Sequence, residues 1–242
     1  MKSIIVIPAR FKSSRFPGKP LAKILDKPMI QWVAELSAKV VSRENVYIAT
    51  ENTKIFNAVT ELGYEAIMTS EKCLTGTDRL AEIAKKVKAD IYVNVQGDEP
   101  MVKPNDIQKI IEAKKKYPDD VINGYATIEK DEDVNSINIP KVIFTNDKRL
   151  VYISRKALPG FKEKKNEPQV YYKQVCIYAF NRQELLTYGS YGRKSILEQS
   201  EDIEILRFLE WDKTIRLVQT SSGSLAVDEA RDIEKVEFAL RK

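Results

Sequence analysis

The chain has no histidine and only two cysteines in 242 residues. Without imidazole there can be no histidine general base, no Ser-His-Asp triad and no His-ligated metal. Any catalytic metal must be held by oxygen ligands, which points to Mg²⁺ or a similarly hard cation. Cys73 and Cys176 lie far apart without CxxC spacing, so they read as ordinary thiols rather than a disulfide or metal pair. No apolar run reaches the roughly 18 residues that span a bilayer, so membrane insertion is not expected. The N-terminal apolar stretch is short and runs into Pro8-Ala9-Arg10, unlike a signal peptide; the expected setting is the cytoplasm. The phosphate-loop patterns GxxxxGK[ST] and GxGxxG are also missing, which excludes a Walker A loop and a dinucleotide loop.

Hydrophobic residues make up 43% of the chain and charged residues 31%, enough to build the core of one large α/β domain. The net charge is +5, but the lysines are scattered among acidic residues. The runs Lys114–Lys116 and Lys162–Lys165 read as solvated surface, so nucleic acid is not an expected partner.

Through the first half, short β-branched runs alternate with helical patterns. Strands are expected at Ser3–Ile7, Asn45–Ala49, Glu65–Met68 and Ile91–Val95. Helices are expected at Met29–Val40, Thr53–Leu62, Thr77–Lys88 (capped by Thr75 or Thr77) and Pro104–Lys116. This rhythm predicts a parallel sheet covered on both faces. After Tyr117 it changes. Val121–Ile128, Lys141–Thr145, Leu150–Ser154 and Tyr171–Phe180 are strand-like, with a hairpin turn at Asn146-Asp147-Lys148 and a charged loop at Pro159–Pro168. Helices return at Glu184–Tyr188, Ser200–Trp211 and Ala230–Arg241, around a last strand at Ile215–Gln219. The expectation is a single domain over 1–242 with a β-rich element at about 121–181.

Three charged stretches carry the chemistry. IPARFKSSRFPGKP, residues 7–20, follows the first strand with Arg10, Lys12, Arg15 and Lys19 beside Gly18 and stiffening prolines. Backbone N–H groups and cations there can hold phosphate; the plainer alternative is a basic surface turn. VNVQGDEP, residues 93–100, ends an apolar strand in Gln96, Asp98 and Glu99. A carboxylate at that end of a strand can hold Mg²⁺, or belong to an ordinary acidic turn. SLAVDEARDIEKV, residues 224–236, places Asp228 just before a helix, where a helix N-cap is the usual role.

Taken in order, IPARFKSSRFPGKPL, TGTDRLAEIA, NVQGDEP, SRKALP, IYAF, LEQSEDIEILRFLE and AVDEARDIEKV are spread from Ile7 to Val236, nearly the whole chain. In these motifs the sequence resembles the 3-deoxy-manno-octulosonate (Kdo) cytidylyltransferases, also called CMP-Kdo synthetases. The resemblance implies a Rossmann-like nucleotide-diphospho-sugar transferase fold: α/β, a mixed central sheet with helices on both faces and a β-rich dimerisation insertion. It implies Mg²⁺-dependent transfer of CMP from CTP to a sugar acid, with release of pyrophosphate, for lipopolysaccharide or capsule synthesis by a homodimer. By the same likeness Arg10, Lys19, Asp98 and Asp228 are catalytic, and Asp98 and Asp228 are the metal ligands. Ala9, Arg10, Arg15, Lys19, Thr77, Asp78, Arg79 and Gln96 match nucleotide-binding positions; Arg155, Gln174, Tyr178 and Glu204 match positions near the sugar acid.

The chain departs from the family pattern in two places. Gln174 and Cys176 stand where the family has His and Gly, and Ile205 follows Glu204 where the family has Gln. Both changes are expected to lie at the sugar, so the acceptor could be Kdo itself, a related deoxy-sugar acid or an amino-substituted one. The alternatives are the same fold acting on another nucleotide or acceptor, and a non-catalytic nucleotide-binding relative.

Overall fold

The computed structural model describes residues 1–13, 15–222 and 225–241. Ser14 of the first loop and Ser224, which opens the third charged stretch, lie outside the described residues. The central sheet contains β1 (Ser3–Pro8), β4 (Val46–Thr50), β5 (Glu65–Met68), β6 (Ile91–Val95), β7 (Val121–Thr127), β10 (Tyr172–Phe180) and β11 (Ile215–Gln219). Their order is β11-β7-β10-β6-β1-β4-β5. Among these described strands only β10 runs antiparallel to its neighbours. Two strands of the β-rich stretch, β7 and β10, thus belong to the central sheet. The other two, β8 (Lys141–Phe144) and β9 (Leu150–Ser154), form a hairpin that leaves it, turning through Lys148 at φ 66°.

Alternation along β1 sends its side chains to two cores. Ile5 and Ile7 pack with α1 (Met29–Ser37), α2 (Thr53–Glu61) and α4 (Pro104–Lys116). Ile4 and Val6 pack with α3 (Gly76–Lys86) and α5 (Arg182–Ser190). Helices therefore cover both faces, and the central strands β1 and β6 are almost wholly buried, which is why β1 reads as a continuous apolar run. A third, smaller cluster joins Ile24, Met29 and Val227 to α8 (Asp232–Leu240). Trp32 packs against this cluster, and Trp211 sits among Tyr188, Tyr191 and Phe208; both are packing residues.

Three local features differ from the sequence expectation. A hairpin of β2 (Lys23–Ile24) and β3 (Lys27–Pro28) turns through Leu25 and Asp26, at φ 47° and 67°. Leucine is a poor marker of that left-handed geometry, so the turn was hidden. Lys114 is 1% exposed rather than solvated. It donates to Asp120 O at 2.6 Å and pairs with Glu184 at 2.7 Å, and burial pushes its pKa down. Lys115 and Lys116 remain exposed, so the run of like residues hid a single inward-facing member.

The third difference is the helix expected over Ser200–Trp211. It is broken into α6 (Ile196–Glu201) and α7 (Leu206–Glu210), with Asp202 in the left-handed region at φ 52°. In a continuous helix, residues nine apart lie on opposite faces and about 13.5 Å apart along the axis. The break instead folds Arg207 back onto Glu198, both wholly buried, through two hydrogen bonds of 2.7 Å. Arg207 also reaches Asp78 at 3.2 Å and lies over the Tyr188 ring at 3.7 Å. This cluster joins the broken segment to the start of α3.

Removing one partner of such a pair strands a buried charge, whereas replacing both with apolar groups is close to neutral. Arg207→Met is expected to cost about 3–5 kcal/mol in urea unfolding. Arg207→Met combined with Glu198→Leu is expected to recover most of that loss. A single variant as stable as the parent would remove the pair from the set of fold-determining contacts.

Candidate active site

A cleft of about 730 Å³ opens at the carboxyl ends of β1 and β6. The chain leaves β1 at Pro8, and Ala9, 2% exposed, donates its N–H to Ala49 O at 2.9 Å. The loop is then held at two points. Phe11 N–H donates to Glu51 Oε1 at 2.8 Å, and Gly18 N–H closes back onto Phe11 O at 2.9 Å. Gly18 has φ 71°, a conformation that disfavours any side chain. The loop after β6 passes so close that a Cβ on Gly97 would lie 2.9 Å from Pro8 O. Glycine at 97 therefore lets the first and second charged stretches meet.

The third stretch joins them. Val227 N–H donates to Asp98 O at 2.9 Å, and the Val227 side chain is buried. Lys19 Nζ sits between the two aspartates, 2.7 Å from Asp98 Oδ2 and 4.0 Å from Asp228 Oδ1, and donates to Val227 O at 2.8 Å. Arg15 reaches Asp228 Oδ1 at 3.1 Å. Asp228 does not cap α8; Asp232 accepts from the N–H groups of Asp228 and Glu229 instead. The Asp228 carboxylate is thereby left to face the basic loop.

Two carboxylates converging on one cationic centre form an oxygen-only donor set. Among the described residues no group of three or more His, Cys, Asp or Glu side chains could hold a metal. The donor set suits a hard cation that takes its other ligands from phosphate oxygens and water. Asp98 and Asp228 therefore fit Mg²⁺ as shared, rather than fully caged, ligands.

The remaining nucleotide candidates divide by location. Arg10 is exposed at the mouth of the cleft with no hydrogen bond or ion pair among the described residues. Gln96 lines the cleft and approaches Glu204 Oε1 at 3.4 Å. Arg79 also lines it but is 5% exposed, paired with Glu51 at 2.8 Å and bonded to Thr69 at 2.6 Å. Through Glu51 it braces the loop at Phe11. Thr77 is buried, and its N–H donates to Glu204 Oε2 at 2.9 Å. Asp78 completes a capping box with Thr75 and bonds Arg207, so its contacts lie behind the cleft wall. Burial raises the Glu204 carboxyl above its ordinary range.

Gln174, Cys176, Tyr178, Arg155 and Glu204 also line the cleft. Arg155 donates to Ile137 O at 2.7 Å, to Asp202 O at 3.1 Å and to Glu201 O. It thus ties the segment before β8 to the end of α6 while keeping guanidinium N–H groups to spare. Burial pushes both the Tyr178 hydroxyl and the Cys176 thiol up, and it pushes Cys73 up to about 12, so neither thiol is a ready nucleophile. Ile205, expected at the sugar, is not among the residues that line the cleft. It is 1% exposed and packs in the core with Leu206 and Phe208. The break after α6 turns Glu204 to the cleft and Ile205 inward, so only the Gln174 and Cys176 departures border the cleft. Sequence reasoning missed Glu51, Glu198, Arg207 and Asn123. Glu51 follows β4 directly, and the rule that ligands gather at carboxyl ends of strands could have found it.

The cytidylyltransferase family model matches residues 4–215. The 3-deoxy-manno-octulosonate cytidylyltransferase of Geobacter metallireducens is 39% identical over 247 residues, covering 98% of this chain and 96% of its own. That of Escherichia coli is 37% identical over 235 residues, covering 97% and 94%. The structure of a CMP:2-keto-3-deoxy-manno-octonic acid synthetase complexed with CTP superposes with a TM-score of 0.90 at 36% identity, covering 100% of this chain and 99% of that one. With full-length similarity at that level, and the basic loop meeting Asp98 and Asp228, the chain belongs to the 3-deoxy-manno-octulosonate cytidylyltransferase family and is a cytidylyltransferase.

Proposed function

We propose that the protein transfers CMP from CTP to the anomeric hydroxyl of Kdo or a close 3-deoxy sugar acid, releasing pyrophosphate. One observation carries this reading: Lys19 lies between Asp98 and Asp228 at the foot of the basic loop, which puts cation ligands and phosphate-binding charge in one place. The relative solved with CTP has the same fold across its full length, which supports CTP as the nucleotide.

The reaction asks little covalent chemistry of the side chains. The anomeric oxygen attacks the α-phosphorus, an O–P bond forms, and the bond to the β-phosphate oxygen breaks in line; the hydroxyl proton leaves to solvent. Arg10, Arg15 and Lys19 offset the charge that grows on the departing pyrophosphate. Asp98 and Asp228 would hold Mg²⁺, which when bound polarises the α-phosphoryl oxygens. Arg155, through its spare N–H groups, suits the substrate carboxylate. Gly97 and the Glu51 brace fix the loop before substrate arrives, so little ordering is left for the transition state.

Asp98→Asn and Asp228→Asn are each expected to lower kcat by about 100-fold or more while shifting Tm little, because both carboxylates are partly exposed. Pyrophosphate release with Kdo and each of CTP, UTP, ATP and GTP is expected to favour CTP. Near-parent turnover in both variants, or equal use of all four nucleotides, would refute the assignment.

We also propose a homodimer. The hairpin of β8 and β9 supports it: among the described strands β9 pairs only with β8, and its Val151 is 51% exposed. An edge strand with an outward apolar side chain is a natural pairing surface. Light scattering at assay concentration is expected to give twice the chain mass, and Val151→Lys to lower it; a parent monomer would contradict the proposal.

A further inference from the structure

The ladder between β7 and β10 is irregular beside the cleft. Gln174 stands opposite Tyr125 and Tyr178 opposite Asn123, so three residues of β10 face one of β7, Gly124. A bulge of this kind leaves backbone carbonyls without ladder partners. At this bulge Val175 O and Ile177 O accept hydrogen bonds from Asn123 Nδ2 at 2.8 and 3.3 Å. Asn123 is wholly buried. Carbonyls can only accept, so the nitrogen end of this amide is committed to the bulge and Oδ1 must point the other way.

Asn123 Oδ1 accepts from Gln174 Nε2 at 3.1 Å, and the same nitrogen lies 3.4 Å from the Tyr178 hydroxyl. The orientation is thereby passed on. The nitrogen of Gln174 faces the wall, and Oε1 is the atom left for the cleft that Gln174 lines. Among the described residues Oε1 receives no hydrogen bond. Glycine at 124 leaves room for the bulged strand: a Cβ there would meet Val175 Cβ and O at 3.2 Å.

We propose that Gln174 Oε1, oriented by Asn123, determines acceptor specificity by selecting a sugar-acid substituent that donates a hydrogen bond: a hydroxyl or a protonated amine. The proposal rests on the cytidylyl-transfer reading and names the recognition chemistry at its acceptor end. An imidazole can present either a donor or an acceptor by changing tautomer, whereas the Gln174 amide, its nitrogen held by Asn123 Oδ1, presents its oxygen. An ether, carbonyl or carboxylate oxygen placed against it would leave two acceptors face to face without a proton. Asn123 is a positioning residue, since it acts through Gln174.

The test is pyrophosphate release with CTP and a set of acids derived from Kdo, in which one hydroxyl at a time becomes hydrogen, methoxy or amino. At one position the hydrogen and methoxy analogues are expected to lose roughly tenfold or more in acceptor kcat/KM, while the KM for CTP holds. Whether the amino analogue at that position matches or exceeds the parent acid tells which donor the oxygen prefers. Gln174→Leu is expected to bring the parent acid and its deoxy analogue to within about twofold of each other. Gln174→Met, with a more adaptable chain, serves as the second variant should leucine disturb folding. Asn123→Ser removes the anchoring oxygen and is expected to blur the same ranking without abolishing turnover; an unchanged ranking would remove its positioning role. A parent enzyme that uses every methoxy analogue as well as Kdo, or a Gln174→Leu enzyme that keeps the parent ranking, would overturn the proposal. Release with Kdo itself reports on cytidylyl transfer, and the ranking among analogues reports on Gln174, so the two failures are distinct.

Discussion

The ammonium of Lys19, set between the carboxylates of Asp98 and Asp228 and capped by Val227 O, is the contact on which the cleft depends. It gathers three segments far apart in the chain: the loop after β1, the end of β6 and the approach to α8. Charges of one sign cannot be brought together without a counter-charge, least of all where part of their surface is removed from water. The acidic pair and the basic loop thus require each other. The same balance suits the proposed chemistry, because a triphosphate can engage the cations while a divalent ion engages the carboxylates. The backbone bond between Val227 and Asp98 holds the two aspartate-bearing segments together independently of those side chains.

Around this centre, buried polar groups hold backbone where the regular elements give way. Glu198 and Arg207 accompany the break between α6 and α7, which turns Glu204 toward the cleft. Asn123 fills the bulge in β10 and orients Gln174. Glu51 and Arg79 brace the loop at Phe11. A buried polar group with its partners satisfied has few alternative arrangements, so each of these acts as a local specifier of geometry. Each also sits where a helix, strand or loop departs from ideal form.

The alternating strands and helices of the first half were legible because the strands are short and, at β1, β4 and β6, largely buried and rich in β-branched residues, while each helix repeats its apolar residues at 3.6-residue spacing. The basic loop and the acidic strand end were visible as charge placed next to apolar runs. What was illegible had a common cause. Lys114 looks like its exposed neighbours, the break at Asp202 lies in a pattern that suits a helix, and Ile205 seemed to face the sugar because it follows Glu204. In each case the deciding interaction is with a residue distant in sequence, and periodicity carries no record of it.

From the sequence alone came the exclusions and the inventory: no imidazole, therefore oxygen ligands, together with a proline-stiffened cationic loop and two aspartates in separate motifs. The tertiary structure decided which of these meet, which end of the Gln174 amide faces the cleft, and which departures from the family pattern border that cleft. Composition and local pattern determine what a segment can form on its own. Convergence and amide orientation follow from packing between segments: a glycine at 97 lets two loops meet, a bulge in β10 engages Asn123, and a buried arginine holds the broken helix.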